Sequence, residues 1–194
     1  MKLALSAVLA AACACLAGEL AIGSRAPDFV VQTIDGSEMS SSALRRAAKV
    51  TVVGFVAARC PVSNAYNQRL MALYGEFGER GVSFVMMNSN SNETAEDMRV
   101  HAKQAALTFP MYRDQGNRVA DLFGAQMTPE MFVLDRDGMV RYHGAIDDAQ
   151  NEARVRVRGL KSAIEAVLAD RPVTPAQTKA FGCTLHRVRL WSDS

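Results

Sequence analysis

Cys60 stands where a run of β-branched and small residues, KVTVVGFVA, meets a segment of helical character, and Pro61 follows it directly. Proline is well tolerated at the first position of a helix, where its missing N–H would have no partner anyway. A sulfur at such a joint meets unpaired backbone N–H groups and the positive end of the helix dipole, which together favour thiolate over thiol. A free cysteine with a pKa near 8.5 is only a few per cent thiolate at neutral pH, whereas lowering the pKa to about 7 makes half the population nucleophilic. Arg59 adds a nearby positive charge, and Ser63 fills the place where a Cys-x-x-Cys motif would carry its second sulfur. The competing reading of Cys60 is an inert core cysteine, since cysteine is among the most buried residue types.

The elements that must position this residue read as an alternation of strands and helices. KVTVVGFVA is a buried-strand pattern, and the segment from Pro61 to Gly81 sets Tyr66, Leu70, Leu73, Tyr74 and Phe77 at helical spacing, with Gly81 as its stop. VSFVMMNSN predicts a second strand, and Asn92 or Thr94 is placed to cap a following helix. FPMYRD is a short extended piece, and NRVADLFGA a short helix ended by Gly124. MFVLDRDGMVRYHGAI reads as a hairpin turning at Asp135 to Gly138, and Leu160 to Leu168 as a last amphipathic helix. This order predicts an α/β fold: a mixed central sheet, parallel across the crossovers and antiparallel at the hairpin, between two layers of helices.

The 194-residue chain is 49% apolar, enough for one domain with a real core. With 22 basic against 20 acidic side chains, no nucleic-acid partner and no anionic membrane surface is indicated. Residues 1–17, with Lys2 followed by an apolar stretch from Leu3 to Ala17, form a signal-peptide pattern with cleavage expected after Ala17. At roughly 15 residues the stretch falls short of the ~20 that span a bilayer, so no integral membrane segment is expected after cleavage. A lipid anchor on Cys13 or Cys15 is the alternative. The expected location is periplasmic or secreted, the domain is placed at residues 23–170, and residues 171–194 form a C-terminal extension carrying Cys183. Loss of the leader leaves Cys60 and Cys183 as the only thiols, in a compartment where disulfides persist.

The Cys-Pro-Val-Ser at the strand–helix joint, Thr128-Pro129 just before MFVLD, and the order of elements together resemble the thioredoxin-like superfamily. GSRAPDFVVQTIDG, residues 23–36, is similar to the opening of its redoxin branch, the AhpC/TSA peroxiredoxins and the exported thioredoxin-like proteins related to them. The resemblance covers about residues 23 to 168 and implies a three-layer α/β/α sandwich. It also implies a cis Pro129 facing Cys60, with the backbone before it pairing with an extended substrate peptide or thiol partner, a role that falls to Thr128 and Pro129; Arg59, which is not the family's arginine but could assist an oxyanion, and Pro61 are placed on the substrate side by their position beside Cys60.

Two departures from those families restrict the reaction. Ser63 cannot resolve a mixed disulfide as a second cysteine would, although its hydroxyl is expected to hydrogen-bond the Cys60 thiolate. The peroxiredoxin pattern Pro-x-x-x-Thr-x-x-Cys is also broken, because Val53 and Ala57 stand at the proline and threonine positions. Attention therefore moves to Cys183, for which three roles stay open: resolving thiol, half of a static bridge, or free thiol. The neighbouring Gly182 would let its backbone approach closely.

Metal carriage has little support, because the position four after Cys60 is Asn64, and His143 and His186 read as a strand or surface histidine each. No metal and no cofactor is expected. Asp147 and Asp148 read as a solvated loop without chemistry, and Arg154 to Arg158 as the exposed lead-in to the last helix. The leading expectation is an exported thiol oxidoreductase acting on thiols and disulfides of proteins or small molecules, with Cys60 as nucleophile and Cys183 or an outside thiol completing the cycle. An AhpC/TSA-like peroxidase acting on peroxides and a non-catalytic binding or scaffold protein of the same fold are the rivals.

Overall fold

A computed structural model describes residues 20–188 of the chain. The expected leader, with Cys13 and Cys15, lies outside the described residues. Chain order runs β1 (Val30–Thr33), β2 (Glu38–Ser40), α1 (Ser41–Arg46), β3 (Val50–Phe55), α2 (Pro61–Asn64), α3 (Asn67–Phe77) and β4 (Val82–Asn88). It continues through α4 (Ala95–Gln104), β5 (Met111–Arg113), α5 (Arg118–Phe123), β6 (Met127–Thr128), β7 (Glu130–Leu134), β8 (Val140–Gly144), α6 (Gly159–Leu168) and β9 (Cys183–Thr184).

Seven strands form one sheet in the order β2-β1-β5-β4-β3-β7-β8. β3 pairs in parallel with β4, and β4 with β5, while β7 runs antiparallel to both β3 and β8. The sheet is therefore mixed, as the sequence predicts, and helices cover both faces. The side-chain alternation of the central strands sorts the core in two. Val50 and Val52 of β3, Phe84 and Met86 of β4, and Met131 and Val133 of β7 pack with α3 and α6 through Leu70, Phe77, Leu160 and Ile164. Val53, Phe55, Val85, Met87, Phe132 and Leu134 face the other way and pack with α5 through Val119, Ala120 and Phe123. Gly54 leaves room on the first face, where a Cβ would sit 2.6 Å from the Met86 sulfur and 2.8 Å from that of Met131.

The amphipathic segment after Cys60 is two helices rather than one. Tyr66 bonds back to Ser63 in a tight turn (N–H to O, 3.0 Å), and α3 restarts behind it. Tyr66 stays on the buried face, so the apolar periodicity runs unbroken across the joint. Beyond α6 the chain returns over the sheet. The His143 N–H donates to Ala176 O and the Thr178 N–H to His143 O, both at 3.0 Å, which lays residues 176–178 along the free edge of β8. From there the tail crosses to the end of the molecule that carries Cys60.

Candidate active site

The site begins with a loop that has little freedom. β3 ends at Phe55, and Val56, Ala57 and Ala58 are buried behind it. Glu93, itself buried, accepts from the Ala58 N–H (2.7 Å) and the Arg59 N–H (3.3 Å), and from the side-chain amides of Asn88 (2.7 Å) and Asn90 (3.3 Å). Asn64 donates its side-chain amide to Ala58 O at 2.9 Å. Four donors on one carboxylate give the ion the partners that burial demands. Cys60 follows as the N-cap of α2, with Pro61 at the first helical position, and its Sγ accepts from the Ser63 N–H at 3.3 Å.

The Ser63 hydroxyl does not point where the sequence suggests. Its Oγ accepts from the Ala57 N–H at 3.1 Å, so the contact with sulfur comes from the Ser63 backbone. Arg59 is likewise directed away: its guanidinium donates to Asp97 Oδ1 on α4 at 2.8 Å, with the Arg59 side chain largely exposed. Asp97 also closes a capping box with Thr94. Hydrogen bonds from the Thr94 N–H, from the Arg59 guanidinium and from the Thr94 hydroxyl lower its pKa to about 2.

The opposite wall is the turn before β7. The Thr128–Pro129 bond is cis, and the Thr128 carbonyl oxygen lies 3.3 Å from Cys60 Sγ. Glu130 fixes this turn from beneath. Its Oε2 accepts from the Gln126 and Met127 N–H groups at 2.7 and 2.8 Å, and its Oε1 meets His143 Nε2 at 2.6 Å. The His143 ring stacks on Phe132 with centroids 4.1 Å apart. His143 is thus a strand histidine, buried and bonded, as a structural residue would be.

Cys183 closes the site through a disulfide to Cys60, with Cα atoms 6.1 Å apart and a sequence separation of 123. Of the three roles open for Cys183 in sequence, the free thiol is removed. β9 pairs antiparallel with β6, Thr128 opposite Cys183 and Met127 opposite Thr184. Gly182 makes this approach possible, because a Cβ there would meet the Thr128 carbonyl carbon at 2.8 Å and Pro129 Cδ at 3.2 Å. Cys60 is 5% exposed and Cys183 only partly buried, and both line a pocket of about 210 Å³ with Arg59, Asn92, Glu93 and His186. His186 is exposed at the pocket rim, held by its own backbone: its N–H donates to Asn90 Oδ1 at 2.8 Å.

Asp147 is a correction. It reads as solvated in sequence, yet it is buried and paired with the equally buried Arg69 of α3. Arg69 lies 3.9 Å above the Tyr66 ring and also donates to Ala149 O and Gln150 O, so the pair anchors the loop leading to α6 on the helix behind Cys60. Burial, and next the Asp147 carboxylate, push the Tyr66 hydroxyl pKa up. Asp148 and the arginines Arg154, Arg156 and Arg158 are exposed, as expected. Glu93 and Glu130 carry no signal in the sequence beyond being carboxylates beside otherwise uncharged runs, SNSN and MFVL.

The sequence pattern of the AhpC/TSA family matches residues 22–143. The chain belongs to that family. Among curated relatives, the Thiol-disulfide oxidoreductase ResA of Bacillus thuringiensis (strain Al Hakam) is 25% identical over 122 residues, which cover 63% of this chain and 68% of that protein. A hypothetical protein from Sinorhizobium meliloti 1021 superposes with a TM-score of 0.81 at 29% identity, covering 89% of this chain and 98% of its own. The thioredoxin domain of a thiol-disulfide oxidoreductase from Bacteroides vulgatus superposes with a TM-score of 0.55 at 20% identity, over 63% of this chain and 86% of its own, a likeness of fold. The thioredoxin-like three-layer architecture thus agrees with the neighbours as well as with the strand order. Among the described residues no helix is long and apolar enough to cross a membrane.

Proposed function

We propose that the protein is an exported thiol–disulfide oxidoreductase in which Cys60 and Cys183 form one redox couple. The observation that carries this reading is the position of the disulfide: it bridges an N-cap cysteine to a strand paired with the Met127–Thr128 strand of the opposite wall. A purely structural staple has no need of either feature. Its relatives' name, thiol-disulfide oxidoreductase, supports the same reaction class.

In the reduced protein the Cys60 thiolate, stabilised by the Ser63 N–H, attacks one sulfur of an outside disulfide. The Cys60–substrate bond forms as the substrate bond breaks, and the electron pair leaves on the second substrate sulfur. Cys183 thiolate then attacks Cys60 Sγ and expels the first substrate sulfur as thiolate, leaving the observed disulfide. Two electrons and two protons pass from the protein dithiol to the substrate. Export is supported by the leader pattern of residues 1–17.

Peroxidase chemistry has less support, because the Ala57 methyl stands where the family's peroxide-orienting hydroxyl would be, and its N–H is bonded to Ser63. The thiol–disulfide reading is tested by two variants and a small test disulfide followed by mass spectrometry. Cys60→Ser is expected to abolish exchange, and Cys183→Ser to stop after one turnover with substrate bonded to Cys60. Exchange by Cys60→Ser at the parent rate would sink it.

A further inference from the structure

The tail is bound as an extended peptide would be, and its side chains show what the groove accepts. Main-chain bonds hold it: the pairing of β9 with β6, the Leu185 N–H donating to Gln126 O (2.9 Å), the Thr128 hydroxyl donating to Cys183 O (3.4 Å), and the Ser91 N–H donating to His186 O (2.9 Å). Such bonds supply affinity without reading sequence; alternate side chains in pockets do the reading.

Three positions around Cys183 are restrictive. Immediately before it, Gly182 lies against the Thr128 carbonyl and Pro129, where any Cβ would force the strands apart. One residue earlier, Phe181 packs edge-on against Tyr66 with ring centroids 6.2 Å apart. Two residues after the cysteine, Leu185 is 4% exposed and joins the core cluster of Phe123, Ala125 and Phe132. Thr184 between them is exposed and unrestricted.

We propose that the substrates of this site are disulfides in extended peptide segments of the pattern aromatic-Gly-Cys-x-aliphatic, docked where the tail docks. This rests on the thiol–disulfide reading above. Cys60 thiolate attacks the peptide cysteine's sulfur, the peptide's disulfide breaks, and its second sulfur leaves as thiolate and takes a proton from solvent. Substrate and tail cannot pair with β6 at once. The return of Cys183 to attack Cys60 therefore replaces the substrate strand as it expels the substrate thiolate, which couples resolution to product release. The tethered tail also competes with incoming peptides at the high effective concentration of an intramolecular ligand.

The test uses the full chain carrying Cys183→Ser, reduced, with short peptides whose single cysteine is activated as a mixed disulfide with thionitrobenzoate; release of the coloured thiol gives the rate. Phe-Gly-Cys-Thr-Leu is expected to react about tenfold or more faster than Phe-Ala-Cys-Thr-Leu and than Phe-Gly-Cys-Thr-Asp, the discrimination that loss of one well-packed contact gives. Adding Gly182→Ala, which unseats the tail, is expected to raise the rate with the first peptide several-fold. Equal rates for the three peptides would overturn the specificity while leaving the thiol chemistry intact. No reaction of Cys60 even with a small aryl disulfide would overturn the thiol–disulfide reading, and this one with it.

Discussion

The Cys60 sulfur takes its hydrogen bond from the Ser63 backbone, and the Ser63 hydroxyl is spent on the Ala57 N–H. The two functions of this residue are therefore separable. Ser63→Ala should cost stability, about 1–2 kcal/mol for a buried N–H left without its acceptor, while keeping the amide that faces the sulfur. Chemical denaturation reads the first effect, and the pH dependence of alkylation of Cys60 in a Cys183→Ser background reads the second. The pH profile of Cys60 alkylation should be the same with and without the Ser63 hydroxyl; a drop in reactivity that follows Ser63→Ala would return the hydroxyl to the sulfur. The nucleophile was legible in sequence because a cysteine before a proline at a strand–helix joint is a local pattern. Glu93 and Glu130 were not, because the partners that tie them to the site, the Ala58 and Arg59 N–H groups for Glu93 and His143 for Glu130, are distant in sequence and gathered by the fold. Asp147 reads as solvated for the same reason: its partner Arg69 is 78 positions away in sequence.

At the scale of elements, α4 starts on a capping box between Thr94 and Asp97, and the Arg59–Asp97 pair ties that start to the site. The Asp97 pKa is lowered to about 2, against an ordinary aspartate value near 3.9. A lowered folded-state pKa contributes stability above the ordinary value and loses it as pH falls toward the folded one. An NMR titration should therefore place the Asp97 midpoint near 2, with the first-turn amides of α4 losing protection between about pH 4 and pH 2; a midpoint near 3.9 would deny the cap. Long elements with a clear period, β3, β4, α4, α6 and the β7–β8 hairpin, could be read from the chain. The break between α2 and α3 could not, since Tyr66 keeps the buried face continuous across it. Nor could β9, two residues whose only reason to be a strand is a distant partner in β6.

Among the described residues the molecule is closed by one covalent link with a sequence separation of 123 and by the buried Arg69–Asp147 pair. In the chain-entropy account, a loop of that size adds about 5 kcal/mol when the bond forms, so reduction should lower the denaturation midpoint markedly in parent protein and not at all in Cys183→Ser. Asp147→Ala leaves Arg69 buried without its counter-ion and should cost about 3–5 kcal/mol, read by the same denaturation curves. The central claim is that the Cys60–Cys183 bond is a working redox couple. Equilibration of the folded protein in thiol–disulfide buffers, with trapping and mass analysis, tests it most directly. The account predicts a reversible two-electron transition at a potential above about −300 mV, the range of labile disulfides. A bond that stays closed to still more reducing potentials, and opens only when the protein unfolds, would make it a static clamp and contradict the account.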